Sequence, residues 1–170
     1  MNDTKTKPTP DVELQLAGEG LGAPDDNDIR DWTCRAARAA GGAGGVITVR
    51  VVDEVEMREL NGYWRGRDYS TNVLSFPFEM PEGLPADAVD PIIGDIAICA
   101  PVVERQAQEQ GKPVRAHWTH MVVHGVLHLL GHDHEQAGEA EIMEALEVSI
   151  LAELGHGDPY REPDTSVRGQ

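Results

Sequence analysis

His124, His128 and His134 are the residues whose type and spacing most directly suggest chemistry, because one cation could collect all three imidazoles. If residues 122–130 are helical, His124 and His128 project from the same face one turn apart, about 6 Å from each other at Cβ. Gly131 follows as a residue able to take the left-handed conformation that stops a helix, so the chain can turn back and carry His134 to the same point. Three neutral imidazoles leave one position of a tetrahedral zinc ion open to water, which suits a catalytic site rather than a closed structural one. His120, a turn earlier on the same face, is a rival ligand or a partner that orients one. His117 reads as a packing or surface residue, and Asp133 as a turn former or an orienter of an imidazole.

The spacing H-x3-H-x5-H, with glycine three residues after the second histidine, matches the metzincin zinc helix HExxHxxGxxH in every position but one. Where those peptidases carry the glutamate that acts as general base, this chain has Gly125, which has no side chain to accept a proton. The ligand geometry is kept and the peptidase base is lost. That combination points to another substrate on a similar metal scaffold.

Three segments carry a fuller resemblance: LNGYWRGRDYSTNVLSFPF from Leu60 to Phe78, Gly94-Asp95-Ile96, and HMVVHGVLHLLGHDH from His120 to His134. Together they resemble the YbeY family of bacterial ribosomal RNA maturation factors, over roughly Val12 to Tyr160. The resemblance implies a single-strand-specific, zinc-dependent endoribonuclease acting in 16S ribosomal RNA 3′-end maturation and ribosome quality control. It implies one zinc per chain on His124, His128 and His134, and a functional arginine at Arg65 that could hold phosphate oxygens bidentately. The implied partners are precursor ribosomal RNA and the small ribosomal subunit or its proteins, in the cytoplasm, with no role for DNA or membrane. His132 stands where the family typically has Tyr, and Trp64 where a Tyr usually precedes the arginine. Taken as an isolated residue, Arg65 reads instead as a surface salt bridge to Asp68 or a nearby Glu. The alternatives are a non-catalytic, zinc-stabilised ribosome-assembly factor and a zincin-like metallopeptidase drawing its base from elsewhere in the chain.

Composition sets limits on these readings. A length of 170 residues suits one domain: a polar, Pro-containing disordered tail at 1–10, a single metallo-hydrolase-like domain over 11–157, and a C-terminal tail at 158–170. The first ten residues lack the apolar segment of a signal peptide, and no stretch is apolar enough to span a membrane. Cys34 and Cys99 lie far apart without C-x-x-C spacing, as reduced core cysteines would. The formal net charge of −16 is unusual for a protein acting on RNA. The charge is lopsided, however. No Lys or Arg occurs from Ala116 to Tyr160, and Glu135, Glu139, Glu141, Glu144, Glu147 and Glu153 load a late helix whose acidic side reads as a solvated face. Arg58, Arg65, Arg67, Arg105, Lys112 and Arg115 lie nearer the middle.

The elements that must position the histidines follow from hydrophobic periodicity and turn chemistry. Val12, Leu14 and Leu16 alternate as an edge-like strand, and Asp28 can cap a helix running to Ala40 before the Gly41–Gly45 turn. Val46 to Val52 alternates as a strand, Asp53 caps a helix bearing Met57 and Leu60, and Val73 to Phe78 makes a strand whose Pro77 places it at an edge. A Pro- and acid-rich loop over Met80 to Pro91 precedes a strand at Ile92 to Cys99. Pro101 and Pro113 each open a helix, the second carrying the histidines, and Glu139 to Leu154 closes the domain with Ile142, Leu146, Ile150 and Leu154 as its core stripe. This order predicts an α/β layered domain: one sheet of about four strands packed against helices, with the zinc-binding helix near the C-terminus.

Overall fold

A computed structural model of the chain describes residues 9–18, 20–42, 44–78, 83, 92–132 and 136–161. The elements run β1 (Asp11–Leu16), α1 (Asp26–Ala39), β2 (Val46–Val52), α2 (Glu54–Arg65), β3 (Val73–Pro77), β4 (Ile92–Cys99), α3 (Ala100–Gln110), α4 (Val114–Leu129) and α5 (Ala137–Glu153). The order is the expected one. The four strands form a single sheet in the order β1-β2-β4-β3. β1, β2 and β4 are parallel, and β3 runs antiparallel along the outer side of β4. Pro77 therefore ends an edge strand, where its missing N–H breaks no ladder.

Side-chain alternation divides the core between the two faces of the sheet. Ile47, Val49 and Val51 of β2 and Ile96 and Ile98 of β4 point to the larger cluster, where they meet Trp32 of α1, Trp118, Val122 and Val126 of α4, and Met143 and Leu151 of α5. Val52, Ala97 and Cys99 point the other way, onto Met57 of α2 and Val102 of α3. Both cysteines are free thiols, and burial pushes the pKa of each upward.

Helix α4 is the centre of this arrangement. It packs against α1, α3, α5, β3 and β4, so Trp118, Thr119, Met121, Val123, Gly125, Leu127 and others are buried nearly all round it. A helix enclosed in this way presents its side chains from a fixed frame. It stops as its sequence requires. Gly131 has φ +94°, the Gly131 N–H donates to His128 O, and the His132 N–H reaches back to Leu127 O at 3.0 Å, a Schellman-type closure.

Two local readings of the sequence are corrected. The cap of α1 is Asp25, which accepts from the Asn27 N–H at 3.3 Å, whereas Asp28 lies inside the helix and pairs with Arg115 at 2.9 Å. In α5 the buried stripe is Met143, Glu147, Ile150 and Leu151, with Leu146 and Leu154 partly buried, while Ile142 is 59% exposed. The helix is rotated toward its C-terminal apolar pairs, because those residues face α1 and α4 together. Residues 158–161 of the segment assigned to a C-terminal tail are laid on the domain: Lys112 Nζ donates to Pro159 O at 2.6 Å. Of the tail at 1–10, only Thr9 and Pro10 lie within the described residues, and Pro10 is buried. Among the described residues no helix is long and apolar enough to cross a membrane.

Candidate metal centre and catalytic cleft

Helix α4 carries His124 and His128 one turn apart, as their spacing requires, and their Nε2 atoms stand 3.0 Å from each other. Two nitrogens bound to one zinc ion at about 2.0–2.1 Å, subtending roughly 90–110°, are separated by about 2.9–3.4 Å. The observed pair fits that requirement. His134, with Asp133, lies outside the described residues, so the structure brings together two of the three expected ligands.

The residue that the sequence did not single out is Glu147. Assigned to the solvated acidic face of the last helix, it is instead 0% exposed and points at α4. Its Oε1 accepts from His124 Nδ1 at 2.5 Å, and its Oε2 accepts from His120 Nε2 at 3.1 Å and from the Tyr160 hydroxyl. Burial alone would raise the pKa of this carboxyl. Hydrogen bonds from His120, His124 and Tyr160 outweigh that effect and hold it at about 2. Tyr160 responds in the opposite sense: burial and the bond to Glu147 push its hydroxyl pKa well above the usual phenol range. His120, His124 and Glu147 each place one ligand atom within 4.8 Å of the other two, so this group could itself hold a cation.

His117 turns inward on the same helix and is 4% exposed, with Nε2 3.0 Å from Gln106 Oε1. Burial, reinforced by His120 and Lys112, lowers its pKa to about 4, so it is a neutral packing residue at physiological pH. His156, beside Thr119 at 3.2 Å, is shifted downward by burial and by Arg115.

His124 and His128 open onto a cleft of about 520 Å³ whose other walls are Val73, Leu74, Ser75, Pro77, Gly131, His132 and Arg65. Arg65 ends α2 and is exposed. Its Nη2 donates to Ser75 O at 2.9 Å, and its guanidinium lies 5.5 Å from the Phe76 ring centroid. The expected pairing of Arg65 with Asp68 does not form, because Arg58 takes Asp68 at 2.9 Å. Arg35, Arg50, Arg105 and Arg115 are likewise tied to Asp31, Glu56, Glu54 and Asp28. Arg65 has no carboxylate partner among the described residues, and it lines the cleft with the two imidazoles.

Gly125 lies on the side of α4 that meets the sheet. A β-carbon there would stand 2.9 Å from Ile96 Cγ2 and 3.3 Å from both Ile96 Cδ1 and Val73 Cγ2. The carbonyl of Gly125 also accepts from Ser75 Oγ at 2.9 Å, tying β3 to the histidine helix. The position that holds the general base in zincins is here a tight helix–sheet contact, so a peptidase would have to draw its base from elsewhere in the chain.

Fold and cleft thus define an α/β layered protein in which one buried helix aims paired imidazoles at a cleft that an arginine also lines, suited to a cation and an anionic substrate. Residues 26–155 match the family described as Endoribonuclease YbeY. The Endoribonuclease YbeY of Alcanivorax borkumensis is 58% identical over 163 residues, covering 96% of this chain and 93% of that relative. That of Alkalilimnicola ehrlichii is 59% identical over 157 residues, covering 91% of this chain and 93% of the relative. The chain belongs to the YbeY family of endoribonucleases. The solution structure of TM1509 from Thermotoga maritima is similar in fold, with 26% identity and a TM-score of 0.54 over 89% of this chain and 99% of that one.

Proposed function

We propose that this protein is a zinc-dependent, single-strand-specific endoribonuclease that acts in the cytoplasm on precursor ribosomal RNA, at the 3′ end of 16S RNA and in ribosome quality control. His124, His128 and His134 hold one zinc ion, and Arg65 is the catalytic arginine. One observation carries the reading: in a chain of this family, the 3.0 Å pair of imidazole nitrogens and Arg65, which has no carboxylate partner among the described residues, line the same cleft. Bound zinc supplies Lewis acidity there, neutralising charge at a scissile phosphate and activating water.

The chain's own groups then have separable tasks. Arg65, anchored through Ser75 O, offers its remaining N–H groups to phosphate oxygens and stabilises charge that grows in the transition state. Phe76 lies 5.5 Å from that guanidinium and its ring centroid 5.8 Å from that of Trp64; the two rings line a neighbouring cavity that Arg65 shares and offer apolar surface to an unstacked base. Gly125 contributes no proton acceptor, so the proton leaves through another route than in zincins. The small ribosomal subunit or one of its proteins is the proposed partner that delivers RNA to so acidic a chain. A non-catalytic assembly role is not favoured in a family of nucleases.

The experiment is incubation of metal-quantified protein with precursor 16S RNA, beside His128→Ala. The parent should carry about one zinc and trim the RNA, and the variant should lose both. Full metal content in His128→Ala, or an equal cleavage rate without metal, would refute the reading.

A further inference from the structure

A charge buried as deeply as that of Glu147 calls for an account, because an ionised carboxylate removed from water is costly unless something compensates it. Among the described residues its ion-pair contacts are His120 and His124 alone, with no Lys or Arg. Its third donor, Tyr160, is neutral. The three donors come from two elements: His120 and His124 from α4, and Tyr160 from the segment after α5. They leave the carboxylate one orientation, with Oε1 on the ring of His124 and Oε2 on His120 and Tyr160.

The two nitrogens of His124 face opposite ways. Nδ1 is on Glu147, and Nε2 is turned to His128 and the cleft. A carboxylate only accepts hydrogen bonds, so the bond at Nδ1 puts the proton there and leaves the lone pair of Nε2 directed at the candidate metal position. The geometry points to Glu147 as the positioning residue of the metal centre: it fixes the tautomer and ring orientation of His124, and supplies through that ring the negative charge that balances a dication. This rests on the proposed reading of His124 as a zinc ligand.

The contact with His124 is a hydrogen bond rather than shared ligation: Glu147 Oε1 is 2.5 Å from His124 Nδ1, whereas two atoms sharing one zinc stand about 2.9–3.4 Å apart, as His124 and His128 do. The 3.1 Å between Glu147 Oε2 and His120 Nε2 falls inside that range, so ligation on that side is the rival the test separates. Carboxylate–imidazole–metal chains of this kind raise ligand basicity, and losing the carboxylate typically weakens metal affinity by about 10–100-fold.

The test compares the parent, His120→Ala, His128→Ala and Glu147→Gln. Zinc affinity is measured by chelator competition, and the ring nitrogens of His124 are followed by 15N NMR. Glutamine keeps the volume of the carboxyl but can present either its oxygen or its NH2 to Nδ1, so the tautomer is no longer fixed. Glu147→Gln should bind zinc about 10–100-fold more weakly and show mixed His124 tautomers, with the metal-free thermal transition still cooperative. If Glu147→Gln does not fold, Glu147→Asp, which draws the carboxylate back from Nδ1 by one methylene, should likewise weaken zinc binding.

Affinity within twofold of the parent, with His124 still protonated at Nδ1, overturns the positioning role while leaving the metal site standing. Complete loss of zinc in Glu147→Gln and His120→Ala, with His128→Ala retaining it, overturns the role in favour of direct ligation by His120, His124 and Glu147. A parent that binds no zinc refutes the proposed metal centre itself.

Discussion

Replacing Gly125 by alanine should destabilise the protein even though alanine is the better helix former. In an exposed helix interior the exchange stabilises by about 1 kcal/mol. At this position the new carbon would stand 2.9 Å from Ile96 Cγ2, closer than carbons approach without displacement. Ile96 is 0% exposed and lies on β4 between β2 and β3, so it has no free rotamer and its backbone is held on both sides. Overpacking of this kind costs about 1–3 kcal/mol, leaving a net loss of up to about 2 kcal/mol once helix propensity is subtracted. For a chain of this size that corresponds to a fall in Tm of up to about 8 °C, to be read by calorimetry and urea unfolding in the presence of a chelator. Val73→Ala removes the Cγ2 that would stand 3.3 Å from the new carbon, so the double variant should recover at least about 0.5 kcal/mol relative to the sum of the singles. A Gly125→Ala protein as stable as the parent would show that the helix can withdraw from the sheet, and the packing account of the missing base would fail. Gly125→Glu should then be far worse, adding a carboxylate to the same contact, and should yield no casein hydrolysis.

Two further outcomes follow from the site. Because the folded pKa of His117 is lowered to about 4 from 6.5, its contribution is fully present above pH 6.5 and is lost as pH falls from 6.5 through 4; the metal-free protein should lose about 2 kcal/mol between pH 7 and pH 5 from this group, a slope that His117→Gln should remove. The contribution of Glu147, lowered to about 2, should fade only below pH 4.5, so one steep loss confined to below pH 4.5 would contradict the His117 assignment. Arg65→Ala should keep zinc and fold yet cut precursor RNA roughly 100-fold more slowly, and Arg65→Lys should restore little, since a single ammonium cannot reproduce a fork already committed to Ser75 O. Parental activity in Arg65→Ala would return Arg65 to the status of a surface residue.

The fold was legible where local rules and tertiary packing agree. The alternation of Val46 to Val52 marks a strand buried between two neighbours, Pro77 can sit only where no ladder bond is needed, and Gly131 supplies the turn that ends α4. Errors arose where two residues satisfy the same local rule. Asp25 and Asp28 are both acceptable caps for α1, and the choice falls to Asp25 because Arg115, 87 residues away in sequence, takes Asp28. The stripe of α5 has a similar ambiguity: Ile142-Leu146-Ile150-Leu154 and Met143-Glu147-Leu151 both recur at four, and contact with α1 and α4 selects the phase.

That ambiguity hid the carboxylate of the site. In composition Glu147 is one more acid in a helix rich in them, and an acidic series reads as solvated. A signal was nonetheless present, since Met143 and Leu151 bracket Glu147 at four residues on either side, which puts a charge inside an apolar stripe on a helix that must pack near three histidines. A charge in such a stripe is tolerated only if hydrogen bonds satisfy it, and imidazole N–H groups are the donors α4 has to offer at that height. The histidine spacing therefore pointed to a place where a cation could bind. The demand that each imidazole also place its other nitrogen was the unused half of the same information, and in this structure Glu147 answers it for His124.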